Sequence, residues 1–549
     1  MLLPHLPAEN RKEKMKVSVH WYRHGLRLHD NPALVEAIRD ADEVYPVFIF
    51  DGKVAGTYSA GYNRWRFLHE CLQDLDESYK KAGGRLYVFQ GEPLEIFSNI
   101  FKEWNVTQLT FEEDPEPIWT ERDKGVKALC KQMNVEWVEK VSHTLWNPKD
   151  ILSANRGSPP LTYESFCNVI EMLGVPERPL DDADLTKVNL PASDDHDNKF
   201  GLPTLEMLGI EPECEKQLQR HNIWIGGESQ ALEQLATRKE IERKAFECDR
   251  ILPMQSAPDL LGQPMSCSAH LRFGCLSIRK FYWAICDQYK QVKDKKPPSA
   301  VVSQFIWREY FYTMSVNNIN YNSQENNPIC LKVPWYEDDE KLQKWKNAKT
   351  GYPWIDACMT QLLVEGWIHH VARHAVACFL TRGDLWLSWE HGDKFFNRYQ
   401  LDADWSVCAG NWMWIASSAF EQSLDCPKCF CPVRYGQTMD PTGAFVRRYL
   451  PILSQMPLKY LFNPWKAPPS VQKEAGCIVG EDYPERIVDH LEVSKKNRTT
   501  MLNYKNSLSK REPHCGPASE KEVDDFAWLT ISAEDKCTAN NECQKLHVE

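Results

Sequence analysis

Several features that would classify a chain at once are missing from these 549 residues. No uninterrupted apolar run is long enough to span a bilayer, and the opening MLLPHLPAENRKEKMK has no apolar core of signal-peptide length, so neither a membrane protein nor a secreted one is expected. The 19 cysteines lack the dense spacing of a disulfide scaffold, in a chain too large to need one; they read as reduced thiols in the cytoplasm or nucleus. Positive charge is in deficit. With 65 Lys and Arg against 77 Asp and Glu the net charge is −12, so the surface as a whole repels nucleic acid and any DNA contact needs a local basic groove. No internal repeat is present. What is abundant is tryptophan, at 20, in an otherwise globular composition of 42% hydrophobic and 26% charged residues.

This length exceeds what one hydrophobic core supports, so two or more domains are expected, each able to enclose a large cofactor. After an N-terminal extension (1–16), residues 17–140 alternate apolar strands with amphipathic helices. VSVHWY (17–22), VYPVFIF (44–50), RLYVF (85–89) and QLTF (108–111) read as strands, and Phe67, Cys71, Leu72, Leu75 and Tyr79 fall at helical spacing before a Gly83-Gly84 stop. The pattern predicts a doubly wound α/β domain around a parallel sheet. A dinucleotide bound in the usual way requires Gly-x-Gly-x-x-Gly after the first strand; the sequence there is RHGLRLHDNPAL, so a large cofactor must be held elsewhere. Residues 141–215, rich in Pro, Asp and Ser, read as a long wrapping linker. From 216 to 505 the pattern is helical, strongest in GGESQALEQLATRKEIERKAF (226–246) and MTQLLVEGWIHHVARHAVACFL (359–380), which predicts a larger all-α domain. The tail, 506–549, is polar apart from one apolar knot, DDFAWL (524–529), which is expected to dock.

Residues with chemistry to offer concentrate in the helical half. In MSCSAHLRFGCLS (265–277), Ser266 and Ser268 stand just ahead of a helical segment, where hydroxyls and free backbone N–H groups can meet a phosphate, although such a pair is also an ordinary cap. QFIWREYFYT (304–313) sets Trp307 and Arg308 before an aromatic cluster, which also suits a core helix with a snorkelling arginine. In EGWIHHVARHAVACFLTRGDLWLSWEHG (365–392), His370 and His374 share a helix face with Arg373 between them in sequence. The glutamate of a zinc protease is missing and no third ligand follows, so no metal is expected. Trp386 and Trp389 lie three apart on the same predicted helix, close enough to exchange an electron. DADWSVCAGNWMW (402–414) crowds Trp405, Trp412 and Trp414 around Asp402, Ala403, Asp404 and Cys408. CPKCFCP (426–432) places Cys426, Cys429 and Cys431 at metal-like spacing without a second pair and reads as structural.

In this order, SAHLRFGCLS, WREYFYT, EGWIHH, RGDLWLSWEHG and DADWSVCAGNWMW behind WYRHGLRLHDNPAL resemble the cryptochrome/photolyase family, from about residue 17 to 505. The resemblance implies an α/β domain, a linker and a helical domain holding FAD in a folded, U-shaped conformation, which accounts for the missing glycine turn. It puts Ser266 and Ser268 at the flavin phosphates and Gln304 beside the cofactor. Arg373 would form an ion pair with Asp402 against the isoalloxazine, and Asp404 and Asn411 would reach the ribityl and ring edges, with His370 and Ala403 in the same site. An electron chain would run from the flavin to Trp412, Trp389, Trp335 and finally Trp386 near the surface, leaving Trp405 and Trp414 to pack. An antenna chromophore is left open.

Departures within the family narrow the branch. Repair enzymes for cyclobutane dimers carry glutamate where Gln304 stands. The (6-4) photolyases carry glutamine and two active-site histidines, matched by His370 and His374 as acid and base, which keeps that enzyme as the alternative. At the position of Cys408, repair enzymes and vertebrate-type cryptochromes carry asparagine, whereas light-sensing insect cryptochromes carry cysteine. A thiol of pKa about 8.5 in an apolar pocket is a weak acid, so photoreduction is expected to stop at the anionic flavin radical. PHCGPASEKEVDDFAWL (513–529) resembles the fruit-fly-type tail, with Phe526 and Trp528 plugging the pocket that would take a flipped DNA base. DNA is then excluded in the dark, and light releases the tail. Ile225 falls where fly-type proteins have an arginine for the FAD pyrophosphate. The implied function is a non-enzymatic blue-light photoreceptor in the cytoplasm and nucleus. Its partners would be clock proteins such as timeless and an F-box ubiquitin-ligase adaptor, with a light-dependent homodimer left open. A light-independent clock repressor is the third reading.

Overall fold

A computed structural model describes residues 15–52, 60–213, 217, 223–252, 258–262, 265–420 and 431–508. Val17–Tyr22 (β1), Glu43–Phe50 (β2), Tyr87–Gln90 (β3), Gln108–Glu112 (β4) and Glu136–Lys140 (β5) form one parallel sheet in the order β3-β2-β1-β4-β5. The helices Pro32–Arg39 (α1), Tyr62–Lys81 (α2), Pro93–Glu103 (α3) and Thr120–Met133 (α4) connect the strands. Alternate side chains of β2 divide between the two faces. Val44 and Phe48 pack with Leu34 of α1 and Leu72 of α2, whereas Val47 and Ile49 pack with Phe97 of α3 and Val126 of α4. The α/β domain is therefore doubly wound, as its pattern predicts.

The central strand is buried along its whole length, so its polar residues must find partners inside. Ser18 donates to Gln108 at 2.9 Å and His20 shares a 2.9 Å hydrogen bond with Thr110, both across to β4. Burial, with Arg23 and Arg27 nearby, lowers the His20 pKa to about 3, so the ring stays neutral. Strand β5, EWVEK, is a fifth strand not among the four read from the pattern. It is a largely exposed edge strand whose glutamates replace the apolar run that marks the inner strands. The crevice between β1 and β4, where the strand order reverses, is filled by protein: Arg23 donates to Asp123 at 2.6 Å and packs over Trp21 and Phe111, and His24 lies 3.1 Å from Asp114.

The segment 141–215 carries helices, including Pro148–Ala154 (α5) and Tyr163–Leu173 (α6). Ile151, Phe166 and Ile170 join the core of the helical half, and Leu185 and Leu190 join that of the α/β half, so this stretch straps the two together. The helical half is built from Glu228–Glu247 (α7), Ser268–Phe273 (α8), Ser299–Ser315 (α9), Pro353–Glu365 (α10), His370–Cys378 (α11), Trp389–Tyr399 (α12), Trp405–Ile415 (α13) and His490–Leu508 (α14), with the helix Ile278–Lys293 and shorter ones between them. The single helix predicted over 359–380 is two helices. Gly366 ends α10 at φ +75°, and a side chain there would meet Leu401 at 3.0 Å and Asn63 at 3.1 Å. A π-turn, Phe379–Gly383, follows α11, and Trp386 then adopts φ +56°. Trp386 and Trp389 consequently do not share a helix: Trp386 is in the loop, and Trp389 opens α12 behind the Ser388 cap.

Candidate functional site

A cavity of about 620 Å³ opens in the helical half, walled by α7 to α13, a size that suits a large organic ligand. At one end Ser266 and Ser268 line the wall where α8 begins. Their hydroxyls share a 2.8 Å hydrogen bond, and the Ser268 N–H donates to the Ser266 hydroxyl at 3.3 Å. Arg238 of α7 lines the same wall, held by Glu242 at 2.8 Å and the Met265 carbonyl at 3.3 Å. This cation was missed in the sequence because an Arg–Glu pair four apart on a helix reads as a solvated surface pair. Ile225 is 47% exposed and does not line the cavity.

Beside the two serines, α11 supplies His370, Arg373 and His374 one turn apart, and the loop into α13 supplies Asp402, within hydrogen-bond reach of Ser268, and Asp404. Arg373 donates to Asp402 at 2.9 Å and to the Ile368 carbonyl at 2.8 Å, and Gln400 donates to the other Asp402 oxygen at 2.5 Å. Burial acts to raise the Asp402 pKa; Arg373 and hydrogen bonds from Ser268 and Gln400 outweigh it and leave the carboxyl below its ordinary value. Asp404 is spent on the fold as well as the wall, accepting from the Val407 N–H at 2.6 Å as the cap of α13 and from Tyr312 at 2.9 Å. Ala403 does not line the cavity. Its carbonyl accepts from Arg64 and Arg272, each at 2.8 Å. Asn411 lines the wall and donates to the Val407 carbonyl at 2.8 Å, while Gln304 lines the cavity as an exposed residue.

Cys408 is buried in the wall, one helical turn before Trp412. Burial pushes its thiol pKa well up, and Asp393, Asp404 and Asp402 add to the shift against Arg373. Burial, with His370, Arg382 and Arg373 nearby, lowers the His374 pKa to about 3. Trp412 packs with Phe396 at 5.0 Å and Trp345 at 6.4 Å, and Trp389 is fully buried in the same core. Trp335 and Trp386 are 5.1 Å apart. Trp386 is not near the surface: it is 1% exposed, beneath Met501 and Tyr504 of α14, and Trp335 is the less buried of the two. Trp405 packs on Tyr321 and Trp414 on His374, both outside the cavity lining. Phe526, Trp528, Cys426 and Cys429 lie outside the described residues. Among the described residues no group of His, Cys, Asp or Glu is arranged to hold a metal, and no helix is long and apolar enough to cross a membrane.

The lining fits FAD. Arg238 and two hydroxyls suit a pyrophosphate, and Phe396, Val407, Trp412 and Ile415 offer an apolar bed for a ring system. Three lining residues carry buried polar atoms without a partner among the described residues: Arg272 Nη1, Arg308 Nη2 and Gln400 Oε1. Such atoms are costly unless a ligand or water meets them. Comparison with known proteins agrees. Residues 18–180 match the DNA photolyase family, and residues 301–503 match the FAD binding domain of DNA photolyase. Cryptochrome-1 of Drosophila melanogaster is 47% identical over 532 residues, covering 93% of this chain and 98% of that one. Cryptochrome-1 of Sylvia borin is 48% identical over 497 residues, covering 90% and 79%. A class III photolyase from Agrobacterium tumefaciens has a TM-score of 0.75 at 26% identity, covering 91% of this chain and 100% of that one. The chain belongs to the cryptochrome/photolyase family, and FAD is its cofactor.

Proposed function

We propose that the protein is a blue-light photoreceptor whose tryptophan-rich core feeds an electron to its flavin. Bound FAD supplies the absorption of blue light and the acceptor for that electron. Identity to insect and bird relatives is nearly equal, so the branch rests on side chains. The observation that carries the reading is the pairing of Trp412 and Cys408 on one face of α13 at the cavity wall. The indole is oxidisable, and the thiol, held protonated by its buried and acidic surroundings, is a reluctant proton donor. Arg373 and Asp402 fix the charge at this wall in one geometry. We assign to His370, which lines the cavity, the sensing of a new negative charge and its relay to whatever occupies the cavity mouth. We assign that place to the tail, with Phe526 and Trp528 as the plug and its release as the signal. The partners are those the resemblance implies, timeless-like clock proteins and an F-box adaptor, in the cytoplasm and nucleus.

The test is photoreduction of the FAD-loaded protein. Trp412→Phe is expected to slow it sharply, and a wild-type rate in that variant would remove the reading. The (6-4) photolyase alternative draws support from the two histidines lining the cavity. Against it, an imidazole with a pKa near 3 is neutral at physiological pH, which denies His374 the role of acid. Turnover of (6-4) lesion DNA under blue light would establish the enzyme.

A further inference from the structure

The start of α2 is built into the helical half. The Gly61 N–H donates to the Arg398 carbonyl of α12 at 2.7 Å, and the Asn63 amide donates to the Val364 carbonyl of α10 at 3.0 Å. Arg64 follows them in, buried, and donates to two further carbonyls, Asn397 near the end of α12 and Ala403 in the loop into α13, each at 2.8 Å. Arg272 of α8, equally buried, donates to the same Ala403 carbonyl at 2.8 Å, with Glu116 at 3.8 Å and its Nη1 unpartnered among the described residues. Two guanidiniums therefore converge on one oxygen between Asp402 and Asp404, the carboxylates of the cavity wall. Buried like charges repel, and the arrangement is costly unless negative charge answers it. Asp402 is already engaged by Arg373, and burial raises the Glu116 pKa, which makes that carboxyl a weaker counter-charge. Burial and Arg272 lower the Arg64 pKa to about 10, against Cys408, Glu116 and Asp404, so Arg64 is still a cation at physiological pH.

We propose that Arg64 tunes the flavin from the α/β half: held with Arg272 on the Ala403 carbonyl, it supplies buried positive charge behind the cavity wall and so raises the one-electron potential of bound FAD. The proposal deepens the photoreceptor reading and rests on it. Arg64 does not line the cavity, so it is a positioning residue, acting through the 402–404 loop and through its field. Each electron that the flavin takes up without a proton lowers the net charge at the wall by one. A guanidinium already fixed in a water-poor site answers that charge with no rearrangement and no proton transfer. The potential of the flavin is thereby tied to the contact between the two halves, since loosening that contact withdraws the Arg64 charge from the wall.

The experiment is a redox titration of the full-length, FAD-loaded protein in darkness, with dithionite as reductant and reference dyes, read by flavin absorbance. Arg64→Gln keeps an amide that can donate to the carbonyls but removes the charge; it should make one-electron reduction about tenfold less favourable, a fall of about 59 mV. Arg64→Lys keeps the charge and should stay near wild type. A wild-type potential in Arg64→Gln overturns the proposal, and so does an equal fall in Arg64→Lys, which would make fit, not charge, the cause. If Arg64→Gln does not retain FAD, Arg272→Gln and Arg272→Lys, on the same carbonyl, decide the matter by the same comparison. The dark titration bypasses the tryptophans, which keeps the two failures apart. Wild-type photoreduction in Trp412→Phe removes the photoreceptor reading, whereas a wild-type potential in Arg64→Gln removes the Arg64 assignment alone.

Discussion

Asp393, one turn beyond Trp389 on α12, is buried with one carboxylate oxygen unpartnered among the described residues. Burial raises its pKa to about 8, with Glu390 and Asp404 adding to the shift and Asn397 opposing it. Between the unfolded value of 3.8 and about 8 the native state keeps a proton that the unfolded chain has lost, so this group makes stability fall as pH rises through that window and contributes no further slope above it. Asp393→Asn should remove this slope and raise stability at neutral pH. Urea melts of both proteins across the window check it, and parallel pH profiles would contradict it. Asp402 has the opposite sign: its lowered pKa contributes stability above 3.8 that is lost as pH falls through the folded value. Nothing in WEHGDKFF distinguishes Asp393 from a surface aspartate, since its ionisation is set by what packs over it.

Helices α12 and α13 meet through a missing side chain. A Cβ built on Gly392 would overlap the outer edge of the Trp412 ring, so this glycine is what lets the indole approach α12 closely beside the cavity. Gly392→Ala relieves a helix of glycine's conformational cost, about 1 kcal/mol, but imposes overpacking of roughly 1–3 kcal/mol. The expected outcome is a net loss of thermal stability together with slower photoreduction as the indole is displaced. A variant melting at or above wild type would contradict the close approach. Gly366 works differently, by conformation: φ +75° ends α10 where the apolar spacing of 359–380 continues, so periodicity placed the helical face correctly but not the break.

Between the two halves of the molecule, apolar packing such as Phe67 against Phe273, 5.2 Å between ring centres, is joined by buried polar contacts. Glu228, in the first turn of α7, accepts from the backbone N–H groups of Leu28 at 2.8 Å and His29 at 2.9 Å and also meets the His29 ring, whose other nitrogen accepts from the Ser277 N–H at 3.1 Å. Asp30 pairs with Arg279 at 2.6 Å, and Glu116 accepts from the Ser406 N–H at 3.2 Å beside the cavity loop. The flavin wall is thus anchored partly by the α/β half, through Arg64 and Glu116. Glu228→Ala orphans these buried donors and should cost about 3 kcal/mol or more. Denaturant melts should show that loss, and limited proteolysis should show faster cutting within 141–215; unchanged proteolysis would mean the strap holds the halves without this contact.

Strands β1 to β4, helix α7 and the motif order that places the chain in its family were legible in the residues, because pleat, helical turn and motif spacing are local properties of a chain. The same locality is why β5 with its glutamates, the break at Gly366 and Arg238 behind its surface-like pair went unread. Trp386 is the clearest case: its spacing from Trp389 predicted a shared helix and the family resemblance implied a place near the surface, but its burial is decided by Met501 and Tyr504, more than a hundred residues later in the chain. Periodicity specifies which face of an element is apolar; exposure, ionisation and the route to water depend on which distant atoms come to cover that face.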